Sequence, residues 1–499
     1  MLPDNVLFAS CDDGSGSATC SPRHDIVSRA GWSGGADGSA SGRPSYCGES
    51  VKWTKQAFLA SGSKARNQVV EKANTSQRAA LSIWWLVPKS RNCSARSRHA
   101  RDHLIESLHI IQDHYHHLSA RHLAALADWM RLPMAEVWEV ASFYDHFDLV
   151  REGEAAPAAC TVRVCTSLSC MMAGGEELFE KLQEYASDDV RFVAAPCIGA
   201  CDKAPAAAVG HQIVEHADLE TLSGVTEAGH AEIPPAARQF DDYCADGGYA
   251  VLRELLEGSR SADDVLATLD DTALRGLGGA GFPTGRKWRI VGGQPGPRLM
   301  AVNGDEGEPG TFKDRLYLST DPHRMIEGIL IAAHVVDVET CFIYMRDEYP
   351  EIIALLRQEL DKVRAAGLAD HLKIELRRGA GAYICGEESA MIESIEGKRG
   401  LPRHRPPYVA EVGIFGRPTL VNNVETLHWI RDILTHGADW FNDQGRDGHP
   451  GPRSYSVSGR VKNPGVIIAP AGSTVSDLIE RCGGMADGHS FKGYLPGGA

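Results

Sequence analysis

Four cysteines carry the most specific chemical signal in the chain. Cys165 and Cys170 enclose four residues in CTSLSC, Cys197 and Cys201 enclose three in CIGAC, and 26 residues separate the two pairs. Two short-spaced thiol pairs can converge on one metal centre. Structural zinc usually takes a two-residue gap in at least one pair, whereas these wider gaps suit four thiolates shared between the two irons of a [2Fe–2S] cluster. A zinc site and a set of buried structural cysteines are the alternative readings. Cys160 lies five residues before the quartet, has no partner at a ligand offset, and reads as a small buried hydrophobe.

A second group of residues suits a ligand with a phosphate and a flat ring. GLGGAGFPTGRKW, residues 276–288, holds five glycines within ten residues and ends on Arg286 and Lys287. Its bare backbone N–H groups can approach a phosphate or a ring while the cations neutralise charge. Taken singly, such a loop is equally a tight structural turn. After the apolar run LMAVN comes NGDEGEPGTFKDR, which sets Asn303, Asp305, Glu306 and Glu308 at the ligand-binding end of an expected strand. Four polar groups there are costly to bury without a ligand. GAGAYICGEESAMIESIEG runs a strand through a glycine turn into a helix that starts on Glu387 and Glu388; PTLVNNVETL adds Asn422, Asn423 and Thr426, and RHRPPY adds Arg405 and Tyr408. Acids at a helix start often only answer the helix dipole, and Asn-Asn is usually a turn or cap, so the signal lies in the four segments together.

These residues need elements to hold them. At 499 residues the chain exceeds one ordinary core, and roughly two to four domains are expected. Residues 1–97 are rich in Ser, Gly, Ala and Arg, lack a sustained period, scatter Cys11, Cys20, Cys47 and Cys93, and read as a disordered or low-complexity extension. Residues 98–150 read as a helical segment: Leu104, Leu108, Ile111 and Tyr115 share one helical face, with helix starts at Ser119 and Pro133. Its histidines His103, His109, His114, His116, His117 and His122 read as polar surface positions rather than ligands. In 151–224, the short apolar runs TVRVC, VRFVAAP and AAAVG flank a helix and predict a small α/β domain. A polar linker is expected over 225–248. Across 249–450 strands and helices alternate, which predicts a parallel α/β sheet with its loops at the strand ends. Residues 451–499 predict a β-rich module: two strands about Lys462-Asn463-Pro464-Gly465, then a helix capped by Ser473 or Thr474 with Cys482 on its apolar face.

Composition narrows the function. A net charge of −15 argues against a nucleic-acid partner, which would call for clustered Lys and Arg. No stretch approaches the roughly 20 apolar residues of a membrane span, and the opening MLPDNVLFASCDDGSGS lacks the parts of a signal peptide. A cytoplasmic, reducing setting is expected, in which 13 cysteines point to metal ligation where they cluster.

With those motifs in hand, residues from about 101 to 215 resemble the thioredoxin-like iron–sulfur subunit of respiratory complex I, including its helical extension and its two cysteine pairs. The run APCIGACDKAPAAAVGH is closer to the fused form in cytoplasmic NAD-dependent formate dehydrogenases. From about 270 to 499, the four segments in this order resemble the NADH-binding flavin subunit of complex I and its relatives in formate dehydrogenases and bidirectional hydrogenases. The resemblance implies a multidomain α/β chain: helical segment, thioredoxin-like [2Fe–2S] domain, Rossmann-like α/β FMN/NADH domain and β-grasp-like SLBB module. It implies that Gly276, Gly278, Lys287, Asn303, Asp305, Tyr383, Gly386, Glu387, Val421, Asn422, Asn423 and Thr426 hold FMN. Phe282, Glu308, Glu388, Arg405 and Tyr408 would contact NAD(H), with Glu308 and Glu388 positioning it rather than acting as bases. Cys165, Cys170, Cys197 and Cys201 would carry the [2Fe–2S] cluster.

The implied activity is that of an NADH:acceptor oxidoreductase (diaphorase) subunit passing electrons between NAD(H), FMN and iron–sulfur clusters. Its implied partner is the catalytic molybdenum or tungsten subunit of a formate dehydrogenase. Hydrogenase or complex I subunits are the alternative partners, and a non-catalytic zinc-binding docking scaffold is the alternative role. Departures are Leu277, where relatives carry Arg in RGRGGAGF, and Arg405 and Tyr408, where they carry Lys and Phe in KPPF. Cys385 reads as packing beneath the flavin loops. Relatives continue into a segment bearing SCGxCxPCR and a later cysteine, which hold a [4Fe–4S] cluster. Here the chain stops at LPGGA with Cys482 its only cysteine after Cys385, so a truncated or split version without tetranuclear ligands is expected.

Overall fold

A computed structural model describes residues 5–9, 100–228 and 234–496. In the helical segment, Leu104–Tyr115 buries Leu104, Leu108 and Ile111 along one face, as their spacing requires. Ser119 caps Ala120–Met130 through a capping box: its hydroxyl accepts the His122 N–H, and the His122 ring accepts the Ser119 N–H. Pro133 precedes Met134–Ala141. Two short strands, β2 (Leu118–Ser119) and β3 (Leu149–Val150), pair in parallel and close this segment. Its core is shared with the domain far ahead in sequence: Leu104, Val140 and Tyr144 pack with Ala301, Phe342 and Ile392.

The small domain is a four-stranded sheet of order β5-β4-β6-β7, from β4 (Cys160–Cys165), β5 (Val190–Ala195), β6 (Ala207–Val209) and β7 (Gln212–Val214). β4 and β5 run parallel, with the helices Leu168–Met172 and Gly175–Leu182 between them in sequence; the remaining pairs are antiparallel.

The large domain is a parallel sheet of β8 (Arg298–Gly304), β9 (Val338–Met345), β10 (Lys373–Arg378) and β11 (Thr419–Asn423), in the order β10-β9-β8-β11. The chain winds from β8 through β9 to β10, then returns to place β11 on the other side of β8. The topological switch point therefore lies between β8 and β11, where doubly wound sheets open a crevice at their carboxyl ends.

The last module pairs β12 (Pro452–Gly459) with β13 (Gly465–Pro470) around the expected turn, and Thr474, not Ser473, caps Val475–Arg481. β14 (Gly493–Leu495) completes a sheet of order β13-β12-β1-β14, where β1 is Asn5–Ala9, parallel to β12 and antiparallel to β14. This corrects the reading of 1–97 as wholly irregular: a strand pairs with partners more than 440 residues away, a contact without a local signature. Residues 10–99, with Cys11, Cys20, Cys47 and Cys93, lie outside the described residues.

The linker expected over 225–248 is also corrected. Leu219–Ala228 and Phe240–Ala245 are helical, and Tyr243 is buried with its hydroxyl donating to Glu327 at 2.6 Å. Polar spacing there reflected one-sided packing rather than freedom. Among the described residues no helix is long and apolar enough to cross a membrane.

Candidate functional site

At the switch point a cavity of about 530 Å³ opens between the carboxyl ends of β8 and β11, within the usual range of small-molecule sites. Register places Asn303 opposite Asn423, so two amides stand side by side at the strand ends. The cavity is lined by residues 277–279, 303, 305–308, 311, 313–314, 383–384, 386–387 and 423. Of the residues expected to hold FMN, Gly278, Asn303, Asp305, Tyr383, Gly386, Glu387 and Asn423 line it, as does Glu308 from the NAD(H) set.

The others support the wall or stand outside it. Lys287 Nζ donates to the Val421 carbonyl at 3.1 Å, and Thr426 Oγ1 accepts the Leu277 N–H at 2.9 Å. Gly276 N–H closes the glycine loop on the Phe282 carbonyl. Asn422 is buried, and its Nδ2 has no hydrogen-bond partner. Arg405 bridges Glu387 and Glu388, the latter at 2.8 Å. Phe282 and Tyr408 are exposed and contribute nothing to the lining, although Arg286 stacks on the Phe282 ring. Tyr383, also exposed, donates to Glu308, which raises the phenol to about 12.

Burial dominates the electrostatics of this cavity. Burial lifts the Asp305 carboxyl to about 8, and its Oδ2 is enclosed without a hydrogen-bond partner. Burial, then the Asp314 charge, lifts Glu306 to about 7, although it accepts the N–H groups of Asp314 and Arg315 at the start of helix Lys313–Thr320. Desolvation lowers Lys287. Enclosed polar atoms without partners are rare in finished interiors. Orphaned Asn422 and Asp305, bare glycine backbone and a desolvated lysine fit a polar, phosphate-bearing, ring-shaped ligand.

The sequence reading missed a charged cluster in this wall, gathered around the Asn423 it had named. Lys313 pairs with Asp314 at 2.9 Å and with Glu425 at 3.0 Å, and Asn423 Nδ2 donates to Asp314 at 2.6 Å. Its signal was present: adjacent Lys and Asp follow a buried Phe312 at the end of the glycine-rich run. Arg346 was also missed and had none. Its guanidinium donates to the carbonyls of Glu306 and Cys197, the latter at 2.6 Å, and so ties the cavity loop to the cysteine loop.

The four cysteines do converge. Cys197 and Cys201 sulfurs lie 3.3 Å apart, and Cys165 contacts both Cys170 and Cys197. All four are buried, among Ile198, Ala200, Ala206 and Phe312. Two short-spaced thiol pairs that touch one another suit the two irons of a [2Fe–2S] cluster. Cys160 packs partly buried against the small domain's core, and Cys385 is buried beside Tyr144 and Tyr344.

Three segments meet at this quartet. Gly199, at φ +78°, passes so close to Tyr349 that an added Cβ would lie 2.4 Å from its hydroxyl. On β12, the buried serines Ser454, Ser456 and Ser458 alternate down one face. They bond Glu425 Oε1 at 2.7 Å, the Phe312 N–H at 3.1 Å and Ser169 Oγ at 3.0 Å. One strand thus touches the helix behind the cavity, the cavity loop and the residue before Cys170.

Comparison with known proteins follows the same division. Residues 90–229 match the family model of the thioredoxin-like [2Fe–2S] ferredoxin, residues 269–432 that of the Nuo51 FMN-binding domain, and residues 454–495 that of the SLBB domain. An NADH-quinone oxidoreductase F subunit of Rhizobium meliloti (strain 1021) is 42% identical over 274 residues, covering 53% of this chain and 65% of that protein. Its counterpart of the same name in Aquifex aeolicus (strain VF5) is 43% identical over 272 residues, covering 53% and 63%. The chain thus spans less than two thirds of the length of these curated relatives. A chain of an NAD+-reducing [NiFe]-hydrogenase in the air-oxidized state superposes with a TM-score of 0.68 at 31% identity, over 79% of this chain and 71% of that one.

Proposed function

The chain belongs to the family that joins a thioredoxin-like [2Fe–2S] domain to a Nuo51 FMN-binding domain and an SLBB domain, and on that premise we propose that it is the NADH-oxidising, electron-input subunit of a larger redox enzyme. The observation that carries this reading is the switch-point cavity with the orphaned Asp305 in its lining and the orphaned amide of Asn422 next in sequence to its Asn423, joined to a buried thiol quartet by Arg346 and Phe312.

FMN, when bound, accepts two electrons as a hydride and releases them singly to iron–sulfur clusters. The chain's own residues bind and orient. Gly276, Gly278, Gly386, Asn303, Asp305, Glu387, Val421, Asn422, Asn423 and Thr426 would enclose the flavin, with Lys287 nearby as a partly desolvated cation. Tyr383, which lines the cavity and bonds Glu308, would also contact the flavin, and Phe282, Glu308, Glu388, Arg405 and Tyr408 would hold the nicotinamide nucleotide. Hydride transfer needs no side-chain base, so Glu308 and Glu388 act by position, and the enclosing loops exclude water. Cys165, Cys170, Cys197 and Cys201 would ligate the two irons.

The finer reading is that the partner is the molybdenum or tungsten subunit of a cytoplasmic NAD-dependent formate dehydrogenase, which the APCIGACDKAPAAAVGH run supports. The structural relative favours a second reading, a partner of the NAD+-reducing hydrogenase type. Copurification from the native source distinguishes them by the metal of the partner, molybdenum or tungsten against nickel. For the core reading, denaturation should release free flavin, and Glu388→Ala should raise the KM for NADH by roughly tenfold, the worth of one charge-assisted hydrogen bond, while flavin content is unchanged. Absence of releasable flavin, or equal loss of flavin and NADH affinity, would overturn it.

A further inference from the structure

The thiol quartet has an apolar shell, and the large domain sets one deeply buried cation against it. Arg346 follows the last residue of β9, and its backbone N–H donates to the Gly304 carbonyl at the end of β8, so the side chain starts from the ordered end of the sheet. That side chain is only 3% exposed. Its guanidinium donates to the Cys197 carbonyl at 2.6 Å and to the Glu306 carbonyl, and lies over the Tyr349 ring, 5.0 Å from its centre.

The countercharge is placed asymmetrically. Glu348 takes the guanidinium at both oxygens, from Nε at 3.2 Å and from Nη2 at 3.1 Å, yet its own side chain is 21% exposed. It lines a neighbouring cavity of about 210 Å³ between the small and large domains. Water in that cavity screens the carboxylate, while the guanidinium stays in the dry interior beside Cys197. Other charges next to the quartet are answered where they stand: Asp202 pairs with Arg315, and Lys203 with Glu215 at 3.9 Å on the exposed side.

A neutral donor would be enough to tie the Cys197 and Glu306 carbonyls together. A buried guanidinium does the same work at a desolvation cost, and what it adds is charge. A [2Fe–2S] cluster on four thiolates is anionic when oxidised and gains a further negative charge with the electron it accepts, and net charge nearby is one of the levers on its potential. A cation held close in an apolar shell favours the more negative, reduced form.

Resting on the reading of the quartet as a [2Fe–2S] centre, we propose that Arg346 raises the reduction potential of that cluster and so makes it a better acceptor for electrons from the flavin. In the transfer it assists, one electron leaves the reduced flavin, which is oxidised, and enters the cluster, which is reduced. Arg346 stays protonated throughout and acts only by its field.

The test is a redox titration of the full chain, prepared without air and with its iron and flavin in place, followed by the paramagnetic resonance signal of the reduced cluster. Arg346→Gln should make one-electron reduction at least about tenfold less favourable, a fall of about 59 mV in midpoint potential. Arg346→Lys, which keeps the charge, should stay closer to the parent than Arg346→Gln does. Glu348→Gln, which leaves the guanidinium uncompensated, should shift the potential upward. A purely structural role would change iron content or Tm without giving shifts of opposite sign. An unmoved or raised potential in an iron-replete Arg346→Gln overturns the proposal. If Arg346→Gln loses its iron, Glu348→Gln decides, and an unmoved or lowered potential there overturns it. A parent without an iron–sulfur signal overturns the cluster reading itself, a failure distinct from a cluster that ignores Arg346.

Discussion

The thiol quartet and the switch-point cavity lie on either side of one loop, yet they are built by opposite means. All four thiols come from the carboxyl ends of β4 and β5 and the short turns and helix that follow them, and their walls are Ile198, Ala200, Ala206 and Phe312. The cavity draws on several segments spread from 277 to 423, and its walls are amides, carboxyls, glycine backbone and a buried lysine. A cluster needs only thiolates and the exclusion of water, so its shell can be apolar and local. An organic anion needs donors and acceptors at many points of its outline, so its shell must be polar and gathered from afar. A polar shell without its ligand leaves orphans; an apolar one does not.

The largest expected effect tests the locality of the quartet. Cys197→Ser should remove most of the iron and sulfide while flavin content is kept, and Cys160→Ser should leave both near parental levels. Full-occupancy zinc in anaerobically prepared protein would replace the cluster reading with a zinc one. Gly199→Ala tests how tightly the cysteine loop is pressed on the large domain. At φ +78°, against the Tyr349 hydroxyl, it should cost about 1–3 kcal/mol, read as a fall in Tm together with partial iron loss. A parental Tm would show that the loop yields freely.

The cavity's polarity has a pH signature. Asp305, at about 8 in the fold against about 4 in an unfolded chain, keeps its proton in the fold across that window and loses it on unfolding. Folding of the flavin-free chain should therefore weaken as pH rises from about 4 to about 8, and Glu306 acts in the same direction. Asp305→Asn should flatten that slope in a Tm series; an unchanged slope would assign it to other groups. The narrowest effect, on stability alone, belongs to the serine face of β12. Ser456→Ala leaves the Phe312 N–H without its partner and should cost about 1–3 kcal/mol, with iron and flavin both retained.

Local signals carried far in the helical segment and the last module. The face of Leu104, Leu108 and Ile111, the cap at Ser119 and the turn before Gly465 all appear where spacing and capping chemistry put them. The histidines did not follow: His109 and His122 are buried, because a polar residue at a helical offset can face another domain as readily as solvent. Lys313 and Asp314 were readable as a charged pair but not as a buried one, since Glu425 and Asn423, which compensate them, are more than 100 residues away.

The sequence by itself determined the chemistry: which thiols pair, which loops are bare enough to meet a phosphate, and which period builds each element. Those depend on neighbours within a turn or a strand, where spacing is geometry. The tertiary structure alone decided adjacency. It set Asn303 beside Asn423 through the return of β11, inserted Asn5–Ala9 beside β12, and brought Asp347 to His109 and His146. Such meetings are fixed by how whole faces bury against one another, and no short window of sequence records which distant face will be opposite.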